Sequence, residues 1–121
     1  MKISTVAIKH ETPIETLHRY QRSFLVHSFL YYKLDESIIS DKDYDTRCRV
    51  MNGIMHNYPD LAEISDYCEL CKPCAATGSG YYIKDYPPET IERAFQLLFQ
   101  IKKPNMSYSQ FVSKWGYQVI G

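Results

Sequence analysis

Apolar residues recur at three- and four-residue intervals along most of this chain, and a few proline, glycine and serine positions interrupt the rhythm. Ile14, Leu17, Tyr20, Phe24, Leu25 and Ser28 follow one helical face toward Tyr31. Thr12 stands before Pro13 and three residues ahead of Glu15, the arrangement of a capping box, so a first helix is expected from there to about Leu34. Ser40, with Asp43 three residues on, opens a second helix whose buried face takes Tyr44, Cys48, Met51, Met55 and Tyr58. From Pro59 to Pro88 the period fades. A short helix over Leu61–Leu70 is expected there, then loop, with Pro73, Gly78, Gly80, Pro87 and Pro88 as breakers and Tyr81-Tyr82-Ile83 as a brief extended piece. Glu89 to Ile101 is the next helix, with Pro88 at its start, a stripe of Ile91, Ala94, Phe95, Leu98 and Phe99, and Lys102 and Lys103 at its negative end. Ser107 and Gln110 form another capping box, followed by Phe111, Val112 and Trp115 as anchors and Gly116 as a stop. The class is mainly α: a small helical domain with a helix-loop-helix site and a C-terminal helical extension.

The junction between the first two helices carries the chemistry. Tyr31, Tyr32 and Tyr44 gather there with several carboxylates. Tyrosine faces hold a cationic ring through their quadrupole for about 0.5–2 kcal/mol each, while carboxylates accept from ribose hydroxyls and a carboxamide. Asp41, Tyr44 and Asp45 stand at i, i+3 and i+4, so they are expected on one side of the first turn. Free backbone N–H groups and the positive dipole end point the same way, which suits a ribose phosphate. His27, one turn before Tyr31, is a further ligand candidate. The chain has 11 tyrosines, and Tyr20, Tyr58, Tyr67, Tyr108 and Tyr117 are assigned to packing. The loop Ala76-Thr77-Gly78-Ser79-Gly80 could cradle a phosphate through its backbone, but a lone Gly-Ser-Gly is usually a flexible turn, and that is the reading expected here.

The pattern YY-x-x-D-x-x-x-ISD-x-x-YD, followed by Tyr58-Pro59-Asp60-Leu61, resembles the N-terminal Ia domain of NAD-dependent DNA ligases over about a quarter of the chain. That resemblance implies a helical domain closing over the nicotinamide mononucleotide (NMN) half of NAD. The ligand-binding positions it implies are Tyr31, Tyr32 (histidine in some members), Asp41, Tyr44 and Asp45. Ser37 departs from the pattern, standing where proline is common, and nothing beyond about residue 61 resembles a ligase. Residues 1–61 are therefore expected to form the Ia-like region, and 62–121 an irregular cysteine-containing segment plus C-terminal helices, packed together as one compact domain. A ligase would also need a Lys-x-Asp-Gly nucleophile. Lys84-Asp85-Tyr86 is the nearest echo, so the chain is expected not to be an enzyme on its own.

Charge and cysteine usage narrow the partners. Net charge is zero from 14 basic and 14 acidic residues, which argues against a nucleic-acid surface. Met1 to Glu11 lacks a secretory apolar core and no run approaches the ~20 residues of a membrane span, so a cytoplasmic protein without membrane contact is expected. Cys68-x-x-Cys71-x-x-Cys74, with Cys48 or His56 as a fourth ligand, could hold structural zinc, but paired, well-separated CxxC units are missing and reduced, buried thiols are expected instead. Cys71-Lys72-Pro73-Cys74 mimics a redox motif without the βαβ context that such a motif needs.

Three functions follow as expectations. The first is non-catalytic binding of a pyridine nucleotide (NMN, NAD or an NAD-derived molecule), with no cofactor required, for example to sequester it as a phage counter-defence protein. The second is a detached subunit assisting self-adenylation of an NAD-dependent ligase. The third is a protein-binding inhibitor module using Tyr81, Tyr82 and the Trp115 region, with a protein partner or homo-oligomer.

Overall fold

The computed structural model describes residues 10–120, and among them it contains seven helices and no strand. Helix α1 (Pro13–Lys33) starts at the expected capping box: the Glu15 amide donates to Thr12 Oγ1 at 3.3 Å and the Thr12 amide donates to Glu15 Oε1 at 2.8 Å. Its second half, Phe24 through Leu30, is buried at every position. A helix buried all round must have neighbours on several sides. Helix α2 (Asp41–Asn57) packs along one flank and α6 (Pro88–Lys102) along another. Phe24, Leu25, Phe29 and Leu30 are nearly inaccessible, and each such side chain contributes about 1.5–3 kcal/mol on burial.

After the cap residue Leu34, Asp35 adopts φ 57°, the left-handed conformation that ends many helices and that aspartate tolerates better than most residues. The Glu36 amide then donates back to the Leu30 carbonyl at 2.9 Å. A short loop leads to Ser40, whose hydroxyl accepts from the Asp43 amide at 3.1 Å and starts α2.

The middle of the chain differs from the pattern. In place of one helix over Leu61–Leu70 there are α3 (Pro59–Ile64) and α4 (Cys68–Cys71), followed by α5 (Cys74–Thr77). The break falls at Ser65, which is extended at ψ 151°. Its hydroxyl donates to the Ala62 carbonyl at 2.6 Å and accepts from Gln21 Nε2 at 2.8 Å, so a tertiary bond from α1 holds it out of the helix. Pro73 is helical in its own dihedrals and precedes α5 as an N-terminal residue, where its missing N–H costs nothing. Tyr81 and Tyr82 form a turn closed by the Ile83 amide on the Gly80 carbonyl at 3.0 Å. Tyr58 is 57% exposed because it caps α2 in a non-helical conformation imposed by the following Pro59.

Helix α7 (Tyr108–Ser113) begins at the Ser107–Gln110 capping box, and Gly116 takes φ 82° beyond it. Trp115 donates to the Leu34 carbonyl at 3.2 Å, tying the end of the described chain to the end of α1. One core runs from Leu17 and Met51 to Cys71, Leu98 and Phe111, drawing on both halves of the chain. No helix among the described residues is long and apolar enough to cross a membrane.

Candidate functional site

A cavity of about 200 Å³ opens where α1, the loop after it and the start of α2 meet. Helix α1 supplies His27, Tyr31 and Tyr32; the loop supplies Ser37, Ile38 and Ile39; α2 supplies Asp41 and Tyr44. Gly78 and Ser79, from the far half of the chain, close the remaining side. The spacing explains the convergence: His27 and Tyr31 are one turn apart on α1, and Asp41 and Tyr44 one turn apart on α2.

Tyr44 joins the two halves of this wall. Its ring stacks near Phe24, with centroids 6.3 Å apart, and its hydroxyl shares a 2.7 Å hydrogen bond with Ser28 while accepting from the Gly80 amide at 2.9 Å. Burial pushes its phenol well above the usual range, so the hydroxyl stays neutral. Gly80 is required there for space: a Cβ would come within 2.4 Å of Ser28 Oγ. The Gly-Ser-Gly turn is therefore pinned.

His27 is buried, and its pKa is lowered to about 4 by burial first and by the Arg47 guanidinium second. Arg47 Nη1 lies 3.3 Å from His27 Nε2 and also donates to Ser23 Oγ at 3.0 Å. With the imidazole neutral, Asp41 is the acidic side chain on the cavity wall. Tyr31 meets Tyr32 edge to face at 4.8 Å, and Tyr32 meets Tyr81 in the same way at 5.4 Å.

Of the residues singled out from the sequence, Tyr31, Tyr32, Asp41, Tyr44 and His27 share this cavity, and Asp45 stands apart. Asp45 is exposed and its carboxylate pairs with Arg49, one turn along α2. The i, i+4 cation competes for a carboxylate that the i, i+3, i+4 spacing directs toward the junction. Ser37, Ile38, Gly78 and Ser79 are wall residues that local patterning does not assign to this site, Ser37 standing out only as a departure from the ligase pattern and Gly78-Ser79 only as part of a turn. Nothing in residues 78–80 signals that a tyrosine 36 positions away will hold the turn.

The cysteines form a separate group. Cys48, Cys68, Cys71 and Cys74 are free and buried, one thiol per turn along α4 and α5, with Cys48 of α2 against Cys74. Cys48 donates to Cys74, which holds the Cys48 proton, and burial acts in the same direction; Cys74 also accepts from Asn52 Nδ2 at 3.6 Å. Burial pushes the Cys71 thiol up. Among the described residues no group of three or more His, Cys, Asp or Glu side chains is placed to hold a metal ion, and His56 lies on the surface. The aromatics expected at a protein interface part company: Tyr82 donates to the Leu70 carbonyl and Trp115 to Leu34, whereas Tyr81 is 77% exposed. A larger cavity of about 360 Å³ lies between α6, α7 and residues 117–120, lined mainly by hydrocarbon and aromatic groups with Glu92 at its side.

No family model matches the chain, and no solved structure matches it. Over 41 residues, 34% of its length, the chain is 42% identical to a DNA ligase of Ehrlichia canis (strain Jake). Over 51 residues, 42% of its length, it is 37% identical to a DNA ligase of Ehrlichia chaffeensis. These stretches amount to 6% and 8% of the two ligases, so the chain spans less than a tenth of the curated relatives it matches. The chain is thus similar in part to DNA ligases.

Proposed function

We propose that the cavity between α1 and α2 binds a pyridine nucleotide (NMN, NAD or an NAD-derived molecule) without carrying out chemistry on it. The observation that supports this most is the wall itself: three tyrosines and the carboxylate of Asp41, brought from two helices to one cavity, with the imidazole beside them held neutral. A pyridinium ring gains from aromatic faces and a nearby anion, and a cation on the wall would oppose it. The hydroxyls of Ser37 and Ser79 and the Asp41 carboxylate are acceptors suited to ribose and carboxamide. The partial likeness to DNA ligases adds support of a second kind. Binding without turnover would withdraw the nucleotide from solution, the action a phage protein would need against an NAD-derived defence signal.

Titration calorimetry of the folded protein with NAD, NMN and cyclic ADP-ribose tests the reading. Heat is expected with at least one of them, and silence with all three overturns it. Tyr31→Ala and Asp41→Asn should each weaken binding by about 5- to 150-fold, corresponding to about 1–3 kcal/mol for a lost direct contact. Asp45→Asn should change it by about twofold or less, since that carboxylate is engaged with Arg49 on the surface.

The ligase likeness also favours a second reading, in which this pocket is a detached clamp for the nicotinamide side of NAD and a separate ligase core supplies the lysine. Added to a ligase lacking its own N-terminal domain, the protein should then restore self-adenylation; a lack of rescue at saturating protein counts against it.

A further inference from the structure

We propose that the site continues past the cavity onto Tyr81, whose ring forms a second stacking subsite, so that a ligand with two planar rings, a dinucleotide, binds better than a mononucleotide. This rests on the pyridine-nucleotide reading and adds a residue outside the Tyr31–Leu61 motif that carries the sequence resemblance. Size is the first argument. Pockets that enclose a drug-sized ligand run to about 300–1,000 Å³, and this cavity holds about 200 Å³. A ring with its pentose fills such a space, and anything larger must lie across the rim.

The rim on one side is aromatic. Tyr31, Tyr32 and Tyr81 follow one another edge to face, at 4.8 Å and 84° and then at 5.4 Å and 71°, so each ring fixes the orientation of the next. Tyr32 lies half-buried between Tyr31, which is 44% exposed, and Tyr81, which is 77% exposed. A tyrosine open to water to that degree adds little to the core, yet its backbone is held in place. The Tyr81 amide donates to Ser79 Oγ at 3.3 Å, the Gly80 amide donates to Tyr44 at 2.9 Å, and the Ile83 amide closes the turn on Gly80 at 3.0 Å. Gly78 and Ser79 of the same turn form the cavity wall. A ligand leaving the cavity beside Ser79 therefore meets the Tyr81 ring next. Stacking of a neutral base on a preset aromatic needs no further donor or acceptor and is tolerant of base identity.

Calorimetry with NMN and with NAD, on the wild-type protein, Tyr81→Ala and Tyr81→Phe, tests the subsite. Wild type should bind NAD about 5- to 150-fold more tightly than NMN, the range that stacking one base supplies. Tyr81→Ala should bring NAD to the NMN level while leaving NMN within about twofold, and Tyr81→Phe should keep the preference, because a phenyl face stacks as a phenol does. Equal affinity of wild type for the two ligands overturns the subsite and leaves the nucleotide pocket standing. So does an equal loss of both in Tyr81→Ala, which would mean that the ring only props Tyr32. If wild type binds neither ligand, the pocket reading fails, and the subsite with it.

Discussion

Tyr44 has two roles that pull on different parts of the side chain. Its ring forms cavity wall, and its hydroxyl ties Ser28 of α1 to the amide of Gly80. Tyr44→Phe keeps the ring and strands that amide, at a cost of about 1–3 kcal/mol. Urea unfolding should show the midpoint falling with the slope unchanged; an unchanged midpoint would mean that the turn is held by something else. His27 predicts a pH dependence. Its folded pKa, about 4, lies below the ordinary 6.5, so between these values the unfolded chain binds a proton that the folded chain refuses. Stability from this group is complete above pH 6.5 and is lost as pH falls toward 4. Glu11, held near 2 by the Arg19 guanidinium that chelates it at 2.8 and 3.0 Å, acts in a lower window, from 4.5 downward. Unfolding measured from neutral pH to pH 4 should therefore slope in wild type and flatten in His27→Gln; equal slopes in both would assign the effect to another group.

Among the helices, those with a capping signal start where that signal lies. Thr12, Ser40 and Ser107 each accept from the amide three residues on, because the cap satisfies donors that the helix leaves open. Removing one should tell: Thr12→Ala is expected to cost about 1 kcal/mol, read as a lower thermal midpoint, and a change below about 0.3 kcal/mol would mean that packing alone sets the start of α1. Helices α3, α4 and α5 follow a different logic. Their boundaries depend on Ser65 being claimed by Gln21 from α1 and on the Cys48–Cys74 contact across to α2. Neither partner lies within the segment, so local patterning there predicts one short helix over Leu61–Leu70 followed by loop. Tyr81 and Tyr82 likewise look like a strand from their β propensity and become a turn because Gly80 is fixed from α2.

At the scale of the molecule, α1 is the post around which the rest is arranged, and the cavity sits at its C-terminal end where three segments converge. A ligand there would bridge α1, α2 and the 78–81 turn, and would stabilise the folded state by linkage. With NMN at about 100 times its Kd, unfolding should cost about 2.7 kcal/mol more. A thermal midpoint that ignores NMN, NAD and cyclic ADP-ribose at millimolar concentration would contradict the pocket reading. The hydrophobic period and the caps determined the long helices, the mainly α class, and the pairing of Tyr31 with Tyr32 and of Asp41 with Tyr44, because these depend on residues within a turn or two of one another. Contacts between distant segments decided the rest. They closed the cavity with Gly78 and Ser79, split the middle helix at Ser65 and set Tyr81 beside Tyr32. A side chain's local spacing sets the face it points to, whereas the group it meets there depends on which distant piece of chain is packed against that face.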